Sequence, residues 1–376
     1  MTVGVSGSRP VLIMAGGTGG HVFPALAVAA ELSVLGVPVA WLGTNQGLEA
    51  RVVPAAGYPL TAIRVSGLRG KGLPRFLFAP FMLTYALLQA FMAFLRLRPL
   101  AVLGIGGFAA GPGGLVAWLL RRPLLIHEQN SVPGLTNRLL APLARTVLEG
   151  FPGSMPATHR PVAVGNPVRA GIAALTLPEA RFAGRSGALH LLVIGGSLGA
   201  RALNQVVPEA LARLPASARP RVHHQTGQAE IDGVRERYAE AGCDARVETF
   251  VEDMAAAYAW ADLVVCRAGA LTVAELAAAG VASILVPYPH ATDDHQTGNA
   301  RYLADAGAAL LMPQAALTAD WLAETLARFN GQRETLLTMA QRARGLARPE
   351  AARRVALLCL EAAGITTAAA EQRPAS

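Results

Sequence analysis

Charge is scarce in this chain. Asp, Glu, Lys and Arg make up only 15% of its 376 residues, against 52% hydrophobic. So apolar a chain buries enough surface to fold, which excludes intrinsic disorder, and its length suits two domains of ordinary size. Cysteine is scarcer still: Cys243, Cys266 and Cys359 stand far apart, with no C-x-x-C and no His/Cys ligand spacing. That excludes a disulfide framework and a structural zinc site, and it fits reduced thiols in a cytosolic setting. Lysine is nearly missing, Lys71 being the only one. The N-terminus lacks the basic segment, apolar run and cleavage site of a secretory signal, so none is expected. There is no Asp-x-Asp metal motif and no G-x-x-x-x-G-K-[ST] phosphate loop.

What charge there is lies unevenly. Residues 1–150 hold 12 Lys and Arg against four acids, Glu31, Glu49, Glu128 and Glu149; residues 151–376 hold 21 of each sign. The net charge of +8 therefore sits in the first half. A basic half points to an anionic partner: nucleic acid, anionic lipid or a phosphorylated substrate.

Several stretches read as strand, glycine loop, helix. Val11–Met14 is a short buried strand that runs into Gly16-Gly-Thr18-Gly19-Gly20-His21 and a helix from about Val22 to Leu35. The spacing is not G-x-G-x-x-G, and the next strand, Val37–Leu42, ends in Gly43-Thr44 with no acid for an adenosine ribose. A dinucleotide fingerprint is thereby not supported, which makes a nicotinamide oxidoreductase the weakest rival. Leu189–Ile194 repeats the pattern before Gly195-Gly-Ser197-Leu-Gly199, so a second α/β domain is expected to start near residue 170, after a Gly/Pro connector at Val164–Arg169. Two further polar clusters follow strands: Gly106–Gly114, and His127-Glu128-Gln129-Asn130. The carboxyl ends of parallel strands are where such folds bind ligands.

The stretch from Asp262 to Asn299 is the densest in chemistry. A strand, Leu263–Cys266, turns through Arg267-Ala-Gly269 into a helix expected from about Leu271 to Ala279. Its N-terminus suits a diphosphate. Glu275, expected near its first turn, is suited to a ribose diol, and the loop from His290 to Asn299 offers sugar-gripping groups such as Gln296. A separate feature is Phe76–Leu95, twenty residues without charge, preceded by the basic loop Arg69-Gly-Lys71-Gly-Leu-Pro-Arg75 and followed by Arg96 and Arg98. It is long enough to span a bilayer. A span there would divide the first domain between two compartments, so an interfacial helix with arginines at head groups is the expectation, with an ordinary core helix as the alternative.

The segments GGTGGHVFPALAVA, SGLRGKG, GGFAAGPGG, HEQNSVPGLTNR, VGNPVR, GGSLGAR, DMAAAYAWADLVVCRAGALTVAE and DDHQTGNA stand in this order between residues 11 and 360. Together they resemble the MurG family, bacterial transferases that move N-acetylglucosamine from UDP-GlcNAc to lipid I (undecaprenyl-pyrophosphoryl-N-acetylmuramoyl pentapeptide), giving lipid II for peptidoglycan. The resemblance implies an α/β chain of GT-B architecture, two Rossmann-like domains facing a cleft. An acceptor and membrane domain would span 1–166, rejoined by a final helix at about 347–363. A donor domain would span 167–346, leaving a tail at 364–376. It implies donor contacts at Thr18, Gly19, Gly20, Asn130, Arg169, Ser197, Val251, Ala270, Leu271, Thr272, Val273, Ala274, Glu275 and Gln296. Leu198 departs from the polar residue many relatives carry after that serine. Arg69, Lys71, Arg75, Phe76, Phe78 and Phe81 become candidates for meeting the lipid acceptor and an anionic membrane.

The implied chemistry is a single inverting displacement by the acceptor C4 hydroxyl, which needs a base and positive electrostatics at the leaving diphosphate. His21 is the candidate base, since a helix N-terminus disfavours the imidazolium; Glu128 is the alternative. No metal and no cofactor are expected, nor nucleic acid as a partner. The resemblance also makes other cell-wall synthesis proteins candidate partners, and places the chain peripherally on the cytoplasmic face of the inner membrane. Two rivals share the donor pocket: a UDP-GlcNAc 2-epimerase, which has no use for a basic half beside an apolar segment, and a non-catalytic UDP-sugar-binding subunit.

Overall fold

A computed structural model describes residues 9–65, 72–196 and 199–365, with side chains throughout except at 72–79. The chain divides into two compact units, Met1–Val168 with Glu350–Ser376, and Arg169–Pro349.

The first unit is built on a parallel sheet of strands β1 (Val11–Ala15), β2 (Val39–Gly43), β3 (Leu60–Ala62), β4 (Val102–Gly106), β5 (Leu124–Glu128), β6 (Thr146–Glu149) and β7 (Val162–Ala163). Their spatial order is β3-β2-β1-β4-β5-β6-β7, so the winding reverses between β1 and β4. The crossovers carry α1 (Gly19–Val34), α2 (Glu49–Ala55), α3 (Gly72–Leu97), α4 (Ala110–Leu119) and α5 (Leu135–Leu140). β1 is apolar throughout because both of its faces are covered. Val11, Ile13 and Ala15 enter one core with α1, while Leu12 and Met14 enter the other with Ala90, Ala93 and Phe94 of α3. The C-terminal Ala351–Ala362 helix also belongs here: its Val355, Ala356, Cys359 and Leu360 share the core of α1.

The second unit repeats the design. Its parallel sheet holds β8 (His190–Ile194), β9 (Arg221–Gln225), β10 (Ala245–Glu248), β11 (Leu263–Cys266), β12 (Ala282–Leu285) and β13 (Ala309–Leu311). The order is β10-β9-β8-β11-β12-β13, with the reversal between β8 and β11. Its helices are α6 (Ala170–Ala173), α7 (Pro178–Phe182), α8 (Arg201–Ala212), α9 (Ile231–Glu240), α10 (Met254–Trp260), α11 (Ala270–Ala279), α12 (His295–Ala304), α13 (Ala319–Gly331) and α14 (Arg333–Gly345); the C-terminal helix of the first unit is then α15. Two such doubly wound sheets make the GT-B fold class.

Three element boundaries differ from the sequence reading. α1 starts at Gly19 rather than near Val22, because the Thr18 carbonyl already accepts from the His21 and Val22 amides. α11 starts at Ala270, which puts Glu275 in its second turn and not its first. α3 runs from Gly72 to Leu97, longer than the uncharged stretch, since Arg75 and Arg96 are carried on the helix itself.

Candidate active site

Each unit places its polar groups at the carboxyl ends of its strands, beside the reversal of winding. In the first unit the loop after β1 and the loop after β4 touch. Gly106 and Gly107 have φ of 111° and 85°, and a Cβ on Gly107 would stand 2.5 Å from the Gly16 carbonyl oxygen. A Cβ on Gly106 would stand 2.9 Å from His21 Cδ2, so the imidazole lies directly over bare backbone. Thr18, extended at φ −105° and ψ 162°, caps α1, and its Oγ1 lies 3.4 Å from His21 Nδ1. Thr18, Gly19, Gly20 and His21 are thus one turn, held against the end of β4.

Glu128 closes β5 and is 2% exposed. Its Oε1 accepts from the Asn130 amide at 2.9 Å and from Asn130 Nδ2 at 3.3 Å. Its Oε2 accepts from the Gly134 amide at 3.0 Å and from Asn137 Nδ2 at 2.9 Å. The carboxylate thereby orients Asn130 and the start of α5. Glu149, its register partner on β6, is also buried and accepts from the Gly153 and Met155 amides and from Ser154 Oγ. Two like charges on neighbouring strands are tolerated because each gathers its own donors. His127 is fully buried, with Nε2 donating to the Gly165 carbonyl at 2.9 Å and Nδ1 accepting from Gln129 Nε2 at 2.9 Å. Burial holds its pKa below the ordinary value, so it is a neutral structural imidazole.

In the second unit the loop after β8 is clamped by an amide: Gly196 donates to Gln225 Oε1 at 3.2 Å, and Gln225 Nε2 donates back to the Gly196 carbonyl at 3.0 Å. α11 begins after Gly269 with no side-chain cap and no acid in its first turn, leaving the amides of Ala270, Leu271 and Thr272 for an anion. Val273 and Ala274 continue that helix, with Val273 packed into the core. Glu275 is 4% exposed and already partnered. Its Oε1 accepts from Arg169 Nη2 at 2.8 Å and Nε at 3.2 Å, and its Oε2 accepts from Tyr258 Oη at 3.2 Å. Burial pushes the Glu275 carboxyl above its ordinary value against the opposing pull of Arg169 and Tyr258. Gln296 sits in the first turn of α12 and its Oε1 accepts from the Tyr288 amide at 2.9 Å. Val251 is buried after β10.

The structure thus brings Thr18, Gly19, Gly20 and His21 together in one turn, Glu128 with Asn130 in a second cluster, and Arg169 with Glu275 in a third. Ser197, Arg69 and Lys71 lie outside the described residues, and Arg75, Phe76 and Phe78 lie where α3 is described by its backbone alone. Phe81 is 74% exposed. Among the described residues no group of three or more His, Cys, Asp or Glu side chains could hold a metal ion. Sequence reading missed Tyr258, Gln225 and Arg267. Arg267 donates to the Val286 and Pro287 carbonyls and to Gln314, fixing the loop after β12. Only the last offered a sequence signal, as an arginine inside a glycine turn at a strand end.

Comparison with known proteins matches both units. The glycosyltransferase family 28 N-terminal domain matches residues 11–149, and the family 28 C-terminal domain matches residues 190–355. A protein of Alkalilimnicola ehrlichii is 60% identical over 359 residues, 95% of this chain and 99% of its own length. One of Nitrosococcus oceani is 58% identical over 353 residues, covering 94% and 98%. Both are named UDP-N-acetylglucosamine--N-acetylmuramyl-(pentapeptide) pyrophosphoryl-undecaprenol N-acetylglucosamine transferase. The crystal structure of Acinetobacter baumannii MurG superposes with a TM-score of 0.80 at 41% identity, covering 94% of this chain and all of the other. The chain belongs to the MurG family.

Proposed function

We propose that the chain transfers N-acetylglucosamine from UDP-GlcNAc to the C4 hydroxyl of the N-acetylmuramoyl unit of lipid I, releasing UDP and forming lipid II. The observation that carries this reading is the near full-length similarity to transferases of that name, joined to a second unit whose polar groups fit a nucleotide diphosphate sugar. The epimerase and binding-subunit readings have no such support.

In this reading the ribose diol takes Glu275, while Arg169, 36% exposed along its side chain, swings towards the diphosphate beside the free amides of α11. Gln296 Nε2 meets a sugar hydroxyl. His21, whose Nδ1 lies 3.4 Å from Thr18 Oγ1, takes the acceptor proton at Nε2. The acceptor O4 then bonds to C1 of the sugar, the C1–O bond to the diphosphate breaks with its electron pair, and the proton ends on Nε2. Inversion follows from attack on the face opposite the leaving group. Glu128, with four donors on its two oxygens, holds Asn130 rather than taking the proton. The test is a turnover assay of the purified chain with UDP-GlcNAc and a short-chain lipid I analogue. A β-linked disaccharide and one UDP per transfer are expected; N-acetylmannosamine with no disaccharide would replace this reading with the epimerase.

We infer further that α3 docks peripherally on an anionic membrane, at the cytoplasmic face of the inner membrane. Among the described residues it is the one helix long and apolar enough to cross a bilayer, and 22% of its Pro80–Leu97 window is buried. Ala86, Ala90, Ala93 and Phe94 anchor it in the first unit, while Phe81, Tyr85, Leu88, Met92 and Leu95 line its outer face. An anchored stripe opposite an exposed apolar stripe suits an interfacial helix, with Arg96 and Arg98 at head groups. Leu88→Glu is expected to lower capture on anionic vesicles far more than turnover of a soluble acceptor analogue. Unchanged capture would remove α3 from the membrane.

A further inference from the structure

Glu49 is the most completely enclosed carboxylate in the first unit, at 0% exposed, and no described cation pairs with it. Its charge is met by neutral donors alone. Oε2 accepts from the Gly17 amide at 2.9 Å, and Oε1 accepts from the Thr44 amide at 3.0 Å and Thr44 Oγ1 at 2.7 Å. Burial opposes its ionisation, but these hydrogen bonds outweigh it and hold the carboxyl below its ordinary value. Three glycines make room for it. A Cβ on Gly16 would stand 2.5 Å from Oε1, one on Gly43 2.9 Å from Cγ, and one on Gly47 would overlap Oε2. A side chain that filled space for packing alone would be apolar. A buried anion costs several kcal/mol unless its donors are fixed, so the site is built around the charge.

The geometry points to Glu49 as a positioning residue for His21, an inference that rests on the reading of His21 as the base. The path is short and continuous. Glu49 fixes the amide of Gly17, whose φ of 92° turns the chain into Thr18. On its other side the Gly16 peptide is wedged against Gly107, and the neighbouring Gly106 carries the imidazole. Thr18 in turn accepts the His21 amide at 3.1 Å and lies against its Nδ1. The carboxylate therefore sets the floor and one wall of the turn from which His21 projects, without itself touching a reacting atom. Supporting groups of this kind decide whether a reactive side chain is held closely enough to act.

Glu49→Gln keeps the shape but sets an NH2 group against amide donors, so the turn is expected to shift. The expected result is a fall of at least tenfold in kcat, with a donor KM changed less than threefold and a far-UV spectrum like that of the parent. In a His21→Ala background the same substitution is expected to add less than a further threefold, because its effect passes through the imidazole. Equal losses in both backgrounds, or a kcat within twofold of the parent, would overturn the inference. Should Glu49→Gln fail to fold, Thr44→Val, which deletes one of its donors, gives the graded version, and its kcat loss must likewise vanish when His21 is alanine. The two ideas fail differently. A His21→Ala enzyme that keeps its turnover removes the base assignment, whereas an inactive His21→Ala beside a normal Glu49→Gln removes only the role of Glu49.

Discussion

The two units share a topology and differ in how they hold buried carboxylates. In the first, Glu49, Glu128 and Glu149 are met by backbone amides, hydroxyls and side-chain amides. In the second, Glu275 is paired with Arg169, and Asp262 with Arg185 and, at 3.8 Å, Arg333. Backbone donors cannot leave, so a carboxylate they saturate is a fixture. A partly exposed arginine can exchange its partner for a ligand, so in the proposed reading the Arg169–Glu275 pair opens onto ribose and diphosphate. The first unit therefore uses its acids to shape loops, and the second keeps one acid on exchangeable terms. Substitutions in the first should register in kcat, and those around Glu275 in donor binding.

His21→Ala is the largest expected effect: kcat falls about 10²- to 10⁴-fold, the range for loss of a general base, with donor KM nearly unchanged in steady-state assays. Glu275→Gln comes next. Losing the charged acceptor for the ribose removes about 1.5–3 kcal/mol, roughly ten- to a hundredfold in donor affinity by calorimetry, with a smaller change in kcat. A kcat loss without a change in affinity would erase the contrast between the units. Tyr258→Phe deletes one hydrogen bond to the same carboxylate and leaves Arg169 in place, so donor affinity should weaken by only about three- to tenfold. The smallest effects concern stability against pH, and they have opposite signs. Glu49 has a lowered carboxyl pKa, so its contribution is complete above the unfolded carboxylate value and is lost as pH falls through the folded one. Glu275 has a raised pKa, so stability declines as pH rises from the unfolded value through the folded one. Melting curves of Glu49→Gln and Glu275→Gln across the acid range should lose these opposite slopes.

The sheets were legible because parallel strands buried on both faces read as unbroken apolar runs that lead into glycine turns, as at Val11–Ala15 and Leu263–Cys266. The site was legible where chemistry is local, as in the Thr18–His21 turn and the uncapped start of α11. What stayed hidden depends on contacts between distant segments. Arg169 reaches Glu275 across 106 positions, and Glu49 reaches Gly17 across 32. Glu128 read as the alternative base, and the four donors that its two oxygens gather are an arrangement that no spacing announces. Tyr258 reaches Glu275 across 17 positions, and nothing local distinguishes a hydroxyl aimed at an acid from a core aromatic.

The claim that Glu275 is the exchangeable, ligand-binding acid is tested most directly by the pH dependence of UDP-GlcNAc affinity, measured for the parent and for Glu275→Gln. The parent should lose affinity as pH falls through a carboxyl value above the ordinary one, because protonation removes the acceptor that the ribose needs. Glu275→Gln should be weak and flat across the same range. Two profiles of the same shape, offset or not, would contradict the account.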